Sequence, residues 1–175
     1  MTQYSQFIKF YAGKVADHRG RLLQDIWLQD YEWLEKTHDY IQWLFPLMEG
    51  SRFNIHAPIL TDEDIQIFQD SEDLKSNLFT SLKLMLGFYG LSCAEKEDGK
   101  IEIKMNASFY ERKKDWLHWG NHNHLRITRI LKCLCLLGLE KYAQAFLKCL
   151  EKIYHLEKGE ITKITFSHWQ NAIGG

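Results

Sequence analysis

SEDLKSNLFTSLKLMLGFYG, residues 71–90, is the stretch on which the fold turns. Ser71 offers a side-chain oxygen to the backbone N–H groups that a helix start leaves unbonded, and Glu72 and Asp73 sit where the helix dipole favours negative charge. Leu74, Leu78, Leu82, Met85 and Tyr89 recur every three or four residues, the period of one helix face. Gly90 closes the pattern with a residue that adopts the left-handed conformation without steric cost. The spacing predicts one long helix.

Upstream, Phe7, Phe10 and Tyr11 predict a short helix within Gln3 to Val15, stopping near Gly13 or Gly20, and Leu22, Leu23, Ile26 and Trp27 another turn or two. Asp30 to Phe45 reads as a single helix. Stepping ~100° per residue gathers Tyr31, Leu34, His38, Ile41 and Phe45 on one side. Trp33, Thr37, Tyr40 and Leu44 widen that arc; Glu32, Glu35, Lys36, Asp39 and Gln42 lie opposite. So wide an arc implies packing against two neighbours rather than one. Trp43 falls on the polar side, covered by the next loop or exposed to a partner. Pro46 ends the helix, because proline disfavours helical geometry in the residue before it. Residues 47–60 form a loop, and Thr61-Asp62-Glu63-Asp64 starts a further helix.

Downstream, Glu97-Asp98-Gly99-Lys100 reads as a hairpin tip, and Lys100 to Lys104 alternates with the period of a strand. A short helix fits Ala107 to Trp116. Asn123 caps the next helix, which buries Ile127, Ile130, Leu131, Leu134 and Leu137 and stops at Gly138. Glu140 to Leu156 buries Ala143, Phe146, Leu147, Leu150 and Ile153, and a last helix spans Phe166 to Ile173. The fold class is all-α: a single domain over residues 1–175, a bundle or array of about seven helices with a small β-hairpin at 91–104.

A formal charge of −1 gives no reason to expect nucleic acid or an anionic membrane as partner. No apolar run approaches the ~20 residues that span a bilayer, so membrane insertion is not expected. Met1 to Gln6 lacks the basic start and apolar stretch of a secretory signal, and the four cysteines (Cys93, Cys133, Cys135, Cys149) form no C-x-x-C pair. A soluble cytoplasmic protein with reduced, buried thiols is the expectation. No nucleotide-binding or hydrolase motif occurs, and no cofactor or metal is implied.

Two blocks carry a resemblance to a known family. His38-Asp39-Tyr40-Ile41-Gln42-Trp43-Leu44-Phe45-Pro46 and Asn123-His124-Leu125-Arg126-Ile127-Thr128-Arg129-Ile130-Leu131-Lys132 resemble the signature blocks of the opioid growth factor receptor conserved region. Leu84 to Gly90, Glu35 and Phe53-Asn54 fit the same pattern, and Phe10-Tyr11 with Asp17 to Arg21 is similar to the start of compact, bacterial-type members. The resemblance implies the helical fold. Animal members are nuclear-associated receptors for an enkephalin peptide with negative effects on growth, and they carry long C-terminal extensions not expected here. It is therefore the fold, more than the peptide ligand, that the resemblance carries over.

The candidate ligand-binding residues are His38, Trp43, Asn123, His124, Arg126 and Arg129. His38, inside the apolar arc, could be a base, a metal ligand or a core residue bonded to a carboxylate, and the last reading comes first. In His118-Trp119-Gly120-Asn121-His122-Asn123-His124, two histidines could bind a metal, but no third or fourth ligand completes a set. Arg126 and Arg129 lie in the first two turns of their helix, suited to a phosphate, a carboxylate or a peptide C-terminus. Against that stands internal pairing with Asp30, Glu35 or Asp39. These residues suggest a binding module for a peptide, small anion or protein partner. The alternative is an enzyme with His38 or His124 as base and the arginines holding a phosphate or carboxylate.

Overall fold

The structure is a computed structural model that describes residues 3–174; Met1 and Thr2, part of the stretch read for a targeting signal, lie outside them. The chain forms two compact units, one of residues up to Leu82 with Leu136–Gly138, the other of Lys83–Cys135 with the residues from Leu139 onward. It is mostly helical.

The first unit contains α1 (Gln6–Tyr11), α2 (Leu23–Trp27), α3 (Tyr31–Lys36), α4 (Ile41–Leu44), α5 (Asp62–Gln69) and the start of α6 (Glu72–Tyr89). Thr61 and Asp64 cap α5 reciprocally, each side chain accepting the other's backbone N–H at 3.1 Å. Ser71 Oγ accepts from Leu74 N at 3.2 Å to open α6. A chain of hydroxyls ties the short helices together. Tyr11 Oη lies 2.8 Å from both Leu44 O and Ser81 Oγ. The phenol has one proton, so when Leu44 receives it Ser81 donates to the phenol and itself accepts from Trp27 Nε1 at 2.9 Å. Phe7 stacks on Phe68, and Phe10 meets Trp43 edge-on, to complete this core.

The single helix expected over Asp30 to Phe45 is two helices. Thr37 is extended, with φ −94° and ψ 131°. In a continuous helix the Leu34 carbonyl would serve His38 N–H; here the buried Tyr40 hydroxyl donates to it at 2.8 Å. The break resets the helical phase. Gln42 and Trp43, placed on the polar side, are 5% and 7% exposed, whereas His38, placed in the apolar arc, is exposed. The described residues hold ten helices, against about seven expected.

The second unit takes over within α6 and continues through β1 (Leu91–Glu95), β2 (Ile101–Met105), α7 (Phe109–Trp116), α8 (Asn123–Leu136), α9 (Glu140–Leu156) and α10 (Lys163–Gly174). Gly90, at φ +80°, turns α6 into β1, and a Cβ there would stand 2.6 Å from Phe109 Cα. The expected hairpin is present: β1 and β2 pair antiparallel from Leu91 with Met105 to Glu95 with Ile101. The α9 helix lies beside β2. Trp116, from α7, donates to Tyr89 O at 3.0 Å inside an aromatic cluster with Tyr89 and Phe146. Ile127, Ile130, Leu131, Leu134 and Leu137 are all fully buried, as the spacing implies. On α9, Cys149 is buried while Leu147 is only half-buried. No helix among the described residues is long and apolar enough to cross a membrane.

Candidate functional site

In the second unit, the approach to α8 gathers three of the six residues singled out in the sequence. Asn121 serves the entry to α8: its side-chain oxygen accepts from Asn123 N at 2.8 Å and its amide donates to Asp115 O at 3.2 Å. Asn123 is wholly buried; its Nδ2 lies 3.5 Å from the same carbonyl, and its Oδ1 accepts from Arg126 Nη1 at 3.3 Å. His124, 5% exposed, places Nε2 2.9 Å from Trp116 O, and its own carbonyl accepts from Trp169 Nε1 at 3.0 Å. Burial pushes the His124 imidazole below its ordinary value, against the opposing pull of the Trp116 carbonyl. Asn123 and His124 therefore tie α8 to the end of α7, and the Trp169 indole on the His124 carbonyl ties α10 to α8. Arg129, one turn on, is half-buried.

His38 and Trp43 belong to the first unit. There the structure assembles a polar cluster around residues the sequence reading left aside. Asp17, its side chain wholly buried, accepts from the backbone N–H groups of Arg19 and Arg21 at 2.9 and 3.0 Å and from Arg21 Nε at 2.7 Å. Arg21 reaches on to Asp39 at 3.0 Å, and Arg19 meets the same carboxylate at 2.9 Å. Asp39, weighed as a partner for Arg126 or Arg129, is thus engaged by Arg19 and Arg21. Burial alone would raise its carboxyl, but the hydrogen bonds and charges of Arg21 and Arg19 outweigh that and hold it below the usual carboxylate range.

Trp43 forms the inner wall of this cluster. An indole N–H can only donate, so His18 Nδ1, 3.0 Å from Trp43 Nε1, is the acceptor and the ring is neutral with its proton on Nε2. That nitrogen lies 3.6 Å from Asp39 Oδ2, and the ring stacks on His56 at 4.9 Å. Burial lowers the His18 pKa, with Asp39 and Asp17 pulling the other way and His56 and Arg21 adding to the fall. Asn54, 6% exposed, donates to Asp39 O at 3.2 Å and to Gln42 Oε1 at 3.3 Å, and accepts from His56 N at 3.0 Å. It pins a loop whose neighbouring side chains point outward: Phe53 is 80% and Ile55 88% exposed. Met48 and Ile59 are also exposed, and Ile59 pairs with Leu47 in an isolated bridge.

One signal could have found the cluster. An aspartate followed at two and four residues by arginine N–H groups is an Asx-type turn. Its partner Asp39 lies too far along the chain for any periodicity to link them. Among the described residues, no group of three His, Cys, Asp or Glu side chains is placed to hold a metal ion.

The comparisons agree with the blocks that form these two arrangements. The family model "Opioid growth factor receptor (OGFr) conserved region" matches residues 2–174. The chain belongs to the opioid growth factor receptor conserved-region family. It is 41% identical over 126 residues to the opioid growth factor receptor of Homo sapiens, covering 70% of this chain and 18% of that protein. The opioid growth factor receptor-like protein 1 of Xenopus tropicalis is 35% identical over 145 residues, covering 81% of this chain and 27% of its own length. The chain thus spans less than a third of these relatives. No solved structure matches it.

Proposed function

We propose that this conserved region is a receptor-like interaction module that takes a peptide or protein partner, with the 48–59 loop of the first unit as a contact surface. The supporting observation is the exposure of Met48, Phe53, Ile55 and Ile59 on a segment that buried Asn54 fixes to Asp39 and Gln42. Large apolar side chains held rigidly in water mark a surface that gains by being covered. Loops carried on a fixed scaffold are where recognition commonly resides. The names of the relatives, receptors of an opioid growth factor, support the same class of function. In this reading Trp43, Asn123 and His124 hold local structure, and His38 is the exposed signature residue of the first unit. The family model spans both compact units, which supports treating residues 1–175 as one functional domain.

The test is a titration of the whole chain with an enkephalin pentapeptide, following tryptophan fluorescence and melting temperature. Saturable binding that disappears in the Phe53→Ser/Ile55→Ser double variant, with its melting unchanged, is the expected result. A flat response in the parent chain would remove the pentapeptide as ligand. Binding that survives the double variant would remove the loop as its contact.

A further inference from the structure

The hairpin and α9 enclose a groove in the second unit that the signature blocks do not reach. Its larger cavity, about 420 Å³, is lined by Lys100, Ile101, Lys141, Gln144, Ala145 and Lys148 among others. An adjoining cavity of about 180 Å³ shares Lys100, Ile101, Ala145 and Lys148 and extends to Lys96 and Lys152. The floor is apolar, from Ile101, Ala145, Ile103 and the buried Cys149, while the rims are basic. Five lysines face two carboxylates, Asp98 and Glu102, and both carboxylates already have hairpin partners: Lys96 is 2.5 Å from Glu102 and Lys100 3.9 Å from Asp98. Among the described residues Lys141, Lys148 and Lys152 form no ion pair. Lys96 holds the Glu102 carboxyl below the usual range, with smaller pulls from Lys104 and Lys152. The excess of lysines over carboxylates in the lining makes the groove basic although the chain as a whole is near neutral.

We propose that this groove binds an extended acidic segment of a partner protein. The row of lysines has the spacing such a segment needs. At ~1.5 Å rise per helical residue, Lys148 and Lys152 stand about 6 Å apart along the axis and Lys141 and Lys148 about 10.5 Å. An extended chain advances ~3.3 Å per residue and only alternate side chains share a face. Carboxylates two residues apart (~6.6 Å) therefore match Lys148 and Lys152, and carboxylates four residues apart (~13 Å) come within reach of the flexible Lys141 and Lys148 side chains. The apolar floor accommodates small side chains between them. With Asp98 and Glu102 on the hairpin side, carboxylates presented singly can sit against the lysines, where a continuous phosphate backbone would meet both acids.

A fluorescein-labelled heptapeptide with Glu at its first, fifth and seventh positions, which share one face of an extended chain, and Ala and Gly elsewhere, tests this by fluorescence polarisation on the whole chain. Saturable binding that weakens as NaCl rises from about 50 to 500 mM is expected. It should be tighter than that of a permuted peptide with its three Glu adjacent, and about tenfold weaker in Lys148→Gln/Lys152→Gln. Should that double variant melt early, the single variants Lys141→Gln and Lys100→Gln replace it, and each must weaken binding. Equal affinity for the permuted peptide, or no effect of the lysine variants, overturns the proposal. So does a single-stranded oligonucleotide, or a vesicle rich in anionic lipid, that outcompetes the peptide at the same lysines.

Discussion

The two units of this chain are held together by different means. In the first, α1 to α4 are four to six residues long. Helices that short are not stable by themselves. Side chains bonded to distant backbone or to each other supply what the helical ladder lacks: Asp17 to the 19–21 turn, Tyr11 to Leu44 and Ser81, Asn54 to Asp39 and Gln42. In the second, α8 and α9 run fourteen and seventeen residues and bury continuous apolar faces. There the polar anchors Asn121, Asn123 and His124 gather where α7 hands over to α8, and the others, such as Arg112 on Phe88 O and Lys113 on Glu157, branch from α7. A region of short helices is therefore fixed by a few polar side chains, and a region of long helices by area.

The comparison breaks most sharply at Asp17. Asp17→Ala removes a carboxylate with no side-chain exposure and leaves Arg21 and two backbone N–H groups without it, which should cost about 3–5 kcal/mol in urea unfolding. Were the loss under ~1 kcal/mol, the size of an exposed ion pair, the polar account of the first unit would fail. Tyr11→Phe keeps the ring but removes the central hydroxyl of the Trp27–Ser81–Leu44 chain, and about 1–3 kcal/mol should go with it. A smaller effect is tied to pH. Burial sets the folded pKa of both His18 and His124 below the ordinary imidazole value of 6.5. The unfolded chain then takes up protons first, so stability is full above 6.5, falls as pH drops below it, and levels off once the folded imidazoles titrate. His18→Phe should flatten part of that slope, and a thermal-melt series from pH 8 to 5 measures it. An unchanged slope would exclude His18 as its source.

Much of the second unit was legible locally. Gly90 ends α6, Gly99 turns the hairpin, and the 3–4 spacing after Asn123 named the buried face of α8. In the first unit the same method failed between Thr37 and Tyr40. A helical wheel assumes continuous phase, and the Tyr40 hydroxyl on the Leu34 carbonyl interrupts it. The candidate list suffered accordingly. Trp43 was expected on a polar side and is a buried donor to His18, while Asp17, His18, Arg19 and Arg21 were noticed only as part of the resemblance.

The sequence by itself determined the helical class, the hairpin, most helix ends and the family, because caps, glycines and apolar periods act within a few residues. Only the tertiary structure decided which polar residues are structural and which surfaces stand open. Asp17 and Asp39 meet through Arg21, Asn54 turns inward so that Phe53 and Ile55 turn out, and the lysines of α9 line up opposite those of the hairpin. Each of these depends on partners brought together from distant parts of the chain, and charge or burial at such a place follows from the packing rather than from the neighbouring letters.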